Sequence, residues 1–186
     1  MTNPPLHPVD VFLLLTDQLT DADQADADQA DADQADADQP PAAQRADADQ
    51  PDAHRVLLAL RKGTGYADGQ WNLPSGKLEH GEDALSAVIR EAHEEIGVQL
   101  HPDEPRMVAT VHHRAAAGHG RVGLVFAVAY DPARHLEPVN AEPHKCAKIE
   151  WFPADRFPSN TDGYTIACVS AVRQGLPFVL NGWPPQ

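Results

Sequence analysis

The sequence predicts a single α/β domain, and three observations predict it. Short apolar runs bounded by turn residues recur along the chain, as in "VDVFLLLTD", "HRVLLALRKG" and "CAKIEWFP". Two longer segments, 82–96 and 161–175, instead space their apolar residues at the helical period. At 186 residues the chain can bury one substantial core but not comfortably two. Strands interleaved with two helices imply a layered α/β arrangement rather than a bundle or a β-sandwich.

Taken in order, "VDVFLLLTD" and "HRVLLALRKG" read as two strands that a short turn would join into a hairpin. Between them lies residues 18–53, dominated by "DADQADADQADADQADADQP" at 21–40, a five-residue unit repeated four times. Five is neither a helical nor a strand period, and the tract has no large apolar side chain. It predicts a disordered or weakly helical loop inserted in the hairpin. Closing even so long a loop costs on the order of a few kcal/mol, because closure entropy grows logarithmically. A calcium-binding tract is disfavoured, since such loops need a glycine turn and spaced ligands.

After the second strand come a glycine-rich loop, "KGTGYADGQ", and a short extended piece, "WNLP". The first helix follows, with Gly81 or Asp83 suited to its start and Gly97 to its left-handed end. Two strands around an Ala/Gly/His turn occupy "PRMVATVHHRAAAGHGRVGLVFAVAYD". The second helix presents Tyr164, Ile166, Ala167, Val169, Ala171 and Val172 as its apolar face and ends at Gly175.

Charge and cysteine content exclude several classes. The formal net charge is −14, but residues 17–54 hold twelve Asp and one Arg, so −11 belongs to the insertion and −3 to everything else. No Lys/Arg-rich stripe exists to neutralise a phosphate backbone, so nucleic acid is not an expected partner. Cys146 and Cys168 have no CxxC spacing and predict buried thiols in a reducing compartment. The run Val11 to Leu15 is too short for a membrane span or a leader core, so the expectation is a cytoplasmic protein with no membrane partner.

The first helix carries an anomaly. With Leu85 at zero and 100° per residue, Leu85, Val88, Ile89, Ala92 and Ile96 fall within about 50° of one direction. Glu94, Glu91 and Glu95 fall near 180°, 240° and 280°, in one sector beside that stripe. Like charges at i,i+4 oppose a helix by roughly 0.2–0.5 kcal/mol. Anions in a last turn lose about 0.3–1 kcal/mol each against the dipole. A divalent cation among the oxygens makes the cluster sensible, and Mg²⁺ is the ion that shares carboxylates with waters and substrate phosphates.

From Gly76 the segment reads Gly, five residues, Glu82, seven residues, then Arg90, Glu91, Ala92, any residue, Glu94, Glu95, any residue, Gly97 and Val98. This resembles the signature of the Nudix hydrolases at every defined position. Seven fixed residue types match by chance on the order of 10⁻⁹ to 10⁻⁸ per starting point. "WNLPSGKLE", "EPHKC" and "EWFPADRFP" extend the resemblance, and Ser75 stands where the family often has glycine.

The resemblance implies a Nudix-type α/β/α sandwich with a central mixed sheet over residues 1–186. It also implies hydrolysis of a pyrophosphate bond in a nucleoside diphosphate derivative or nucleotide. Glu91, Glu94 and Glu95 would ligate Mg²⁺ or Mn²⁺, with the Gly76 carbonyl completing a site. Arg90 either orients a glutamate or makes a surface pair with Glu94 or Glu82. The general base is Glu91 or Glu142, and Glu142 is equally readable as a turn residue before Pro143. Trp71, His112 and His113 are candidate substrate contacts, with core or rim positions as the alternative. A small-molecule nucleotide is the expected partner, and a homodimer stays open. The competing class is a catalytically idle nucleotide-binding module, against which the intact acidic box argues.

Overall fold

A computed structural model describes residues 7–17, 54–115 and 118–184. The insertion expected at 18–53 lies outside the described residues. The elements are β1 (Val9–Thr16), β2 (Arg55–Arg61), β3 (Trp71–Asn72), β4 (Ser75–Lys77), α1 (Ala84–Ile96), β5 (Arg106–Arg114), β6 (Gly120–Ala129), β7 (Cys146–Pro153), α2 (Gly163–Arg173) and β8 (Phe178–Asn181). They build one mixed sheet in the order β3-β2-β1-β6-β5-β8, with β4 also on β1 and β7 also on β2.

The centre is the parallel pair β1 and β6, in register from Val9 opposite Val122 to Thr16 opposite Ala129. A strand buried on both faces reads as a continuous apolar run, which explains "VFLLL". Alternate side chains serve opposite layers. Val11, Leu13 and Leu15 pack with Val88, Ala92 and Ile96 of α1, while Phe12 and Leu14 pack with Tyr164, Cys168 and Val169 of α2. The result is the expected α/β/α sandwich. Among the described residues no helix is long and apolar enough to cross a membrane.

The hairpin expected between β1 and β2 is reduced to its loop end. The two strands are antiparallel but register only at Thr16 opposite Val56. There Asp17 closes the neck, accepting from the Arg55 backbone N–H at 2.7 Å and from Arg55 Nε at 2.5 Å. Beyond that point β1 takes β4 as its partner, with Val11 opposite Gly76, and the Leu13 N–H donates to the Pro74 carbonyl at 2.9 Å. The diverging strands leave a wedge filled by "WNLPSGK", and this wedge sets Gly76 beside α1.

The first helix is capped as its sequence suggests. Asp83 accepts from the N–H groups of Leu85 and Ser86, and Gly97 closes α1 at φ 69°. Asp162 caps α2 in the same way. Two details differ from the periodicity. Ile166 is exposed while Thr165 and Cys168 are buried, because α2 is anchored through the Thr165 hydroxyl, which accepts from the Leu73 N–H at 3.1 Å. Ala87 is fully buried although it lies outside the apolar stripe. Its flank of α1 meets β4 rather than solvent.

Candidate active site

Ala87 and Glu91 are one helical turn apart on the flank of α1 that meets β4. Glu91 is thereby pressed onto Gly76, and the fit leaves no room for a side chain there. A Cβ at residue 76 would stand 1.7 Å from Glu91 Oε1 and 2.0 Å from its Cδ. One turn on, Glu95 accepts from the Ser75 N–H at 2.8 Å. The box therefore folds back on itself: the strand that opens it cradles two of the carboxylates that close it.

Arg90 organises the other edge. Its guanidinium donates twice to Glu82, from Nε at 2.8 Å and Nη2 at 3.0 Å, and from Nη1 to Glu91 Oε1 at 2.7 Å and Glu94 at 3.1 Å. Arg90 thus contacts Glu91, Glu82 and Glu94 at once. The bond from Arg90 holds the Glu82 carboxyl below the usual range. Glu82 Oε2 also accepts from the Glu79 N–H at 3.1 Å, which fixes the turn ahead of the helix.

The three box glutamates are not equivalent. The Glu91 side chain is 12% exposed and Glu94 is 50% exposed. Burial raises the Glu91 carboxyl above its ordinary value. Burial also pushes Glu95 up to about 8, with the Glu91 charge adding to the effect and the Ser75 N–H opposing it. Glu91 and Glu95 line a cavity of about 780 Å³ shared with Gly76, Lys77, Lys145 and Arg121. Glu94 instead lies on the half-exposed flank beside Arg90. Among the described residues no three His, Cys, Asp or Glu side chains stand together closely enough to hold a metal ion.

The remaining candidates separate cleanly. Glu142 lines a recess that also contains Glu95 and accepts from Lys145 Nζ at 2.7 Å. Trp71 is a core residue, 5% exposed and edge-on to Phe152 at 4.7 Å, so it has no face to offer a base. His112 sits between Trp183, at 4.5 Å, and His7, at 5.2 Å, and does not line the cavity. His113 stacks on Tyr164 at 4.3 Å, and Tyr164 reaches the cavity in its place.

A family model described as the NUDIX domain matches residues 46–167, which is 122 of the 186 residues. The chain belongs to the NUDIX family. The match begins after β1, yet β1 is the central strand of the sheet, so the NUDIX fold here draws its middle strand from beyond the long insertion. The family acts on nucleoside diphosphate derivatives, and this NUDIX chain is a pyrophosphohydrolase.

Solved structures agree on the fold. A MutT NUDIX hydrolase from Burkholderia pseudomallei superposes with a TM-score of 0.61 at 22% identity, over 90% of this chain and 98% of that one. The NUDIX domain of Shewanella oneidensis NrtR, complexed with ADP ribose, gives 0.56 at 17% identity, over 92% and 89%. A bifunctional NMN adenylyltransferase/ADP ribose pyrophosphatase from Francisella tularensis, complexed with AMP and a Mn ion, gives 0.54 at 18%, over 94% of this chain and 43% of that one.

Sequence reasoning missed the opposite wall of the cavity. Asp10, Tyr66, Asn72, Arg121 and Asp162 line it, and they come from four separate stretches of chain. One signal was available: Asp10 is a lone carboxylate inside an otherwise apolar strand.

Proposed function

We propose that this chain is a divalent-cation-dependent hydrolase that cleaves the pyrophosphate bond of a nucleoside diphosphate derivative, acting in the cytoplasm. The observation that carries this reading is the pairing of Glu91 and Glu95 in one cavity, with the Glu91 carboxylate set in the space that a Cβ at residue 76 would fill. Two adjacent carboxyls whose burial disfavours ionisation, with Glu142 adding like charge, are stabilised by a cation that wants hard oxygen ligands. Glu91, Glu95 and the Gly76 carbonyl would hold Mg²⁺ or Mn²⁺. Glu94 would join them by leaving Arg90, an exposed i,i+4 pair that restrains it by only about 0.3–0.5 kcal/mol.

When bound, the ion neutralises charge developing on the phosphate oxygens and favours hydroxide over water. The chain's own side chains do the rest. Lys77 and Lys145 line the cavity beside the carboxylates and supply positive charge toward a diphosphate. Arg90 occupies Glu91 Oε1, which leaves Oε2 to take a proton from the attacking water. The place of Glu91 beside the Gly76 strand at the cavity suits it as a general base. Glu142 lies one recess away and is a positioning residue through Glu95 and Lys145.

The test is a panel of nucleoside diphosphate derivatives incubated with Mg²⁺ or with a chelator, scoring nucleoside monophosphate release. Turnover with metal on at least one compound, abolished by chelation, is expected. Undiminished turnover in chelator contradicts the metal, and no turnover on any compound contradicts the reaction.

A further inference from the structure

We propose that the end of the cavity next to α2 selects a 6-oxopurine base, with Arg121 reading it and Asp10 positioning Arg121. The inference rests on the reading of this chain as an enzyme of nucleoside diphosphate derivatives, and it deepens that reading by naming the base.

Asp10 is a carboxylate on the central strand, 4% exposed. Arg121, on the neighbouring strand β6, grips it side-on, with Nε donating to Asp10 Oδ2 at 2.6 Å and Nη2 donating to Oδ1. A guanidinium carries five N–H groups in a rigid plane. The pair consumes two of them, and among the described residues no other acceptor is bonded to Arg121. Its end-on edge, one N–H from each terminal nitrogen, is therefore left for something in the cavity that Arg121 lines.

Two coplanar donors call for two adjacent acceptors, which a phosphate or a base edge can supply. Local charge decides between them. Asp10 cancels Arg121, and Asp162 adds a further negative charge on the same wall, so this end disfavours an anion and suits a neutral ring. Asp162 spends Oδ2 on the N–H groups of Tyr164 and Thr165, and its Oδ1 has no partner among the described residues. A guanine-type ring answers both groups: O6 and N7 accept from the guanidinium edge, and N1–H donates to the carboxylate. Adenine sets its N6 amino group against the guanidinium, donor against donor.

The ring also has a platform. Tyr66 is 51% exposed and lines the same cavity. Its loop is pinned by Asp68, which accepts from the Thr64 N–H at 3.0 Å and the Gly65 N–H at 3.1 Å, and by Arg61 Nε, which donates to the Tyr66 carbonyl at 3.2 Å. A base held there stacks on a ring that is already placed.

The experiment is calorimetric titration of the full-length protein with GMP, IMP, AMP, CMP and 7-deaza-GMP, in chelator so that binding is read apart from turnover. GMP and IMP should bind within a few-fold of each other and about tenfold or more tighter than AMP, the discrimination expected of a bidentate arginine. The 7-deaza compound, which lacks the N7 acceptor, should lose most of that advantage without any change to the protein. The double variant Asp10→Asn/Arg121→Gln, which avoids stranding a buried charge, should bring the GMP-to-AMP ratio close to one. Equal binding of GMP and AMP, indifference to 7-deaza substitution, a preference for AMP or CMP, or no binding at millimolar concentration overturns the proposal. Selective binding without hydrolysis of any compound would sink the enzymatic reading alone, and hydrolysis without base preference would sink the base site alone.

Discussion

The two ends of the cavity are built in opposite ways. The α1 end comes from residues 75–95, where Ser75, Gly76, Arg90, Glu91 and Glu95 meet through contacts inside one strand, one turn and one helix. The α2 end is assembled from β1, β6, the loop carrying Tyr66 and the cap of α2, with Asp10 and Arg121 separated by 111 positions in sequence. At the first end, helical periodicity brings chemical groups together before any tertiary packing is considered. At the second, only strand order brings them together, and strand order is not written locally. The proposed cation site, which would serve any substrate, sits where spacing is fixed, and the proposed choice of base sits where strands can change partners' side chains without disturbing it.

This contrast can be broken at its strongest point first. Glu91→Gln is expected to lower kcat by about 10²–10⁴, the usual contribution of a positioned base, with KM little changed. A loss under tenfold would move the base to Glu142 and separate the box from proton transfer. Gly76→Ala should lower kcat by more than about tenfold, because the new methyl group must push the Glu91 carboxylate out of its place. Circular dichroism and thermal melting would check that the fold survives.

Arg90→Lys should cost about 10–100-fold in activity, since an ammonium cannot hold Glu82 and Glu91 in one plane. Trp71→Leu belongs to neither end. It should destabilise the protein by about 1–3 kcal/mol through lost packing against Phe152 and leave KM within about twofold. A large rise in KM with unchanged stability would restore Trp71 as a substrate contact.

An effect on stability alone concerns pH in the absence of metal. Glu95 has its carboxyl pushed up to about 8, so the native state keeps a proton that the unfolded chain has already lost. Stability therefore falls as pH rises from the ordinary carboxylate value toward 8, and is flat below that window. Melting curves at pH 5.5 and pH 8 in chelator should show the drop, and excess Mg²⁺ should reduce it.

Much of the fold was legible because it is local. The apolar runs marked β1, β2 and β7, and the caps Asp83 and Gly97 marked the ends of α1. What failed were non-local features. The hairpin between β1 and β2 was a fair inference from adjacency, but the two strands register only at Thr16, and β4 takes the β1 edge at Asp10 to Phe12. The edge strand β8, "FVLN", is too short to carry a period. Trp71 could be read as substrate contact or core, because an aromatic residue beside a glycine-rich loop gives no sign of depth, and it lies in the core. Arg121 was invisible because its partner lies on another strand, although Asp10 amid valines and leucines was a mark that something had to neutralise it.

The most direct measurement is Mn²⁺ binding to the full-length protein, followed by loss of the free-ion paramagnetic signal, for the wild type and for Glu95→Gln. The wild type should bind at least one ion with competition by Mg²⁺, and the variant should bind more than about tenfold more weakly. Equal binding by both proteins, or none by either, would contradict the claim that Glu91, Glu95 and Gly76 form a cation site at the cavity floor.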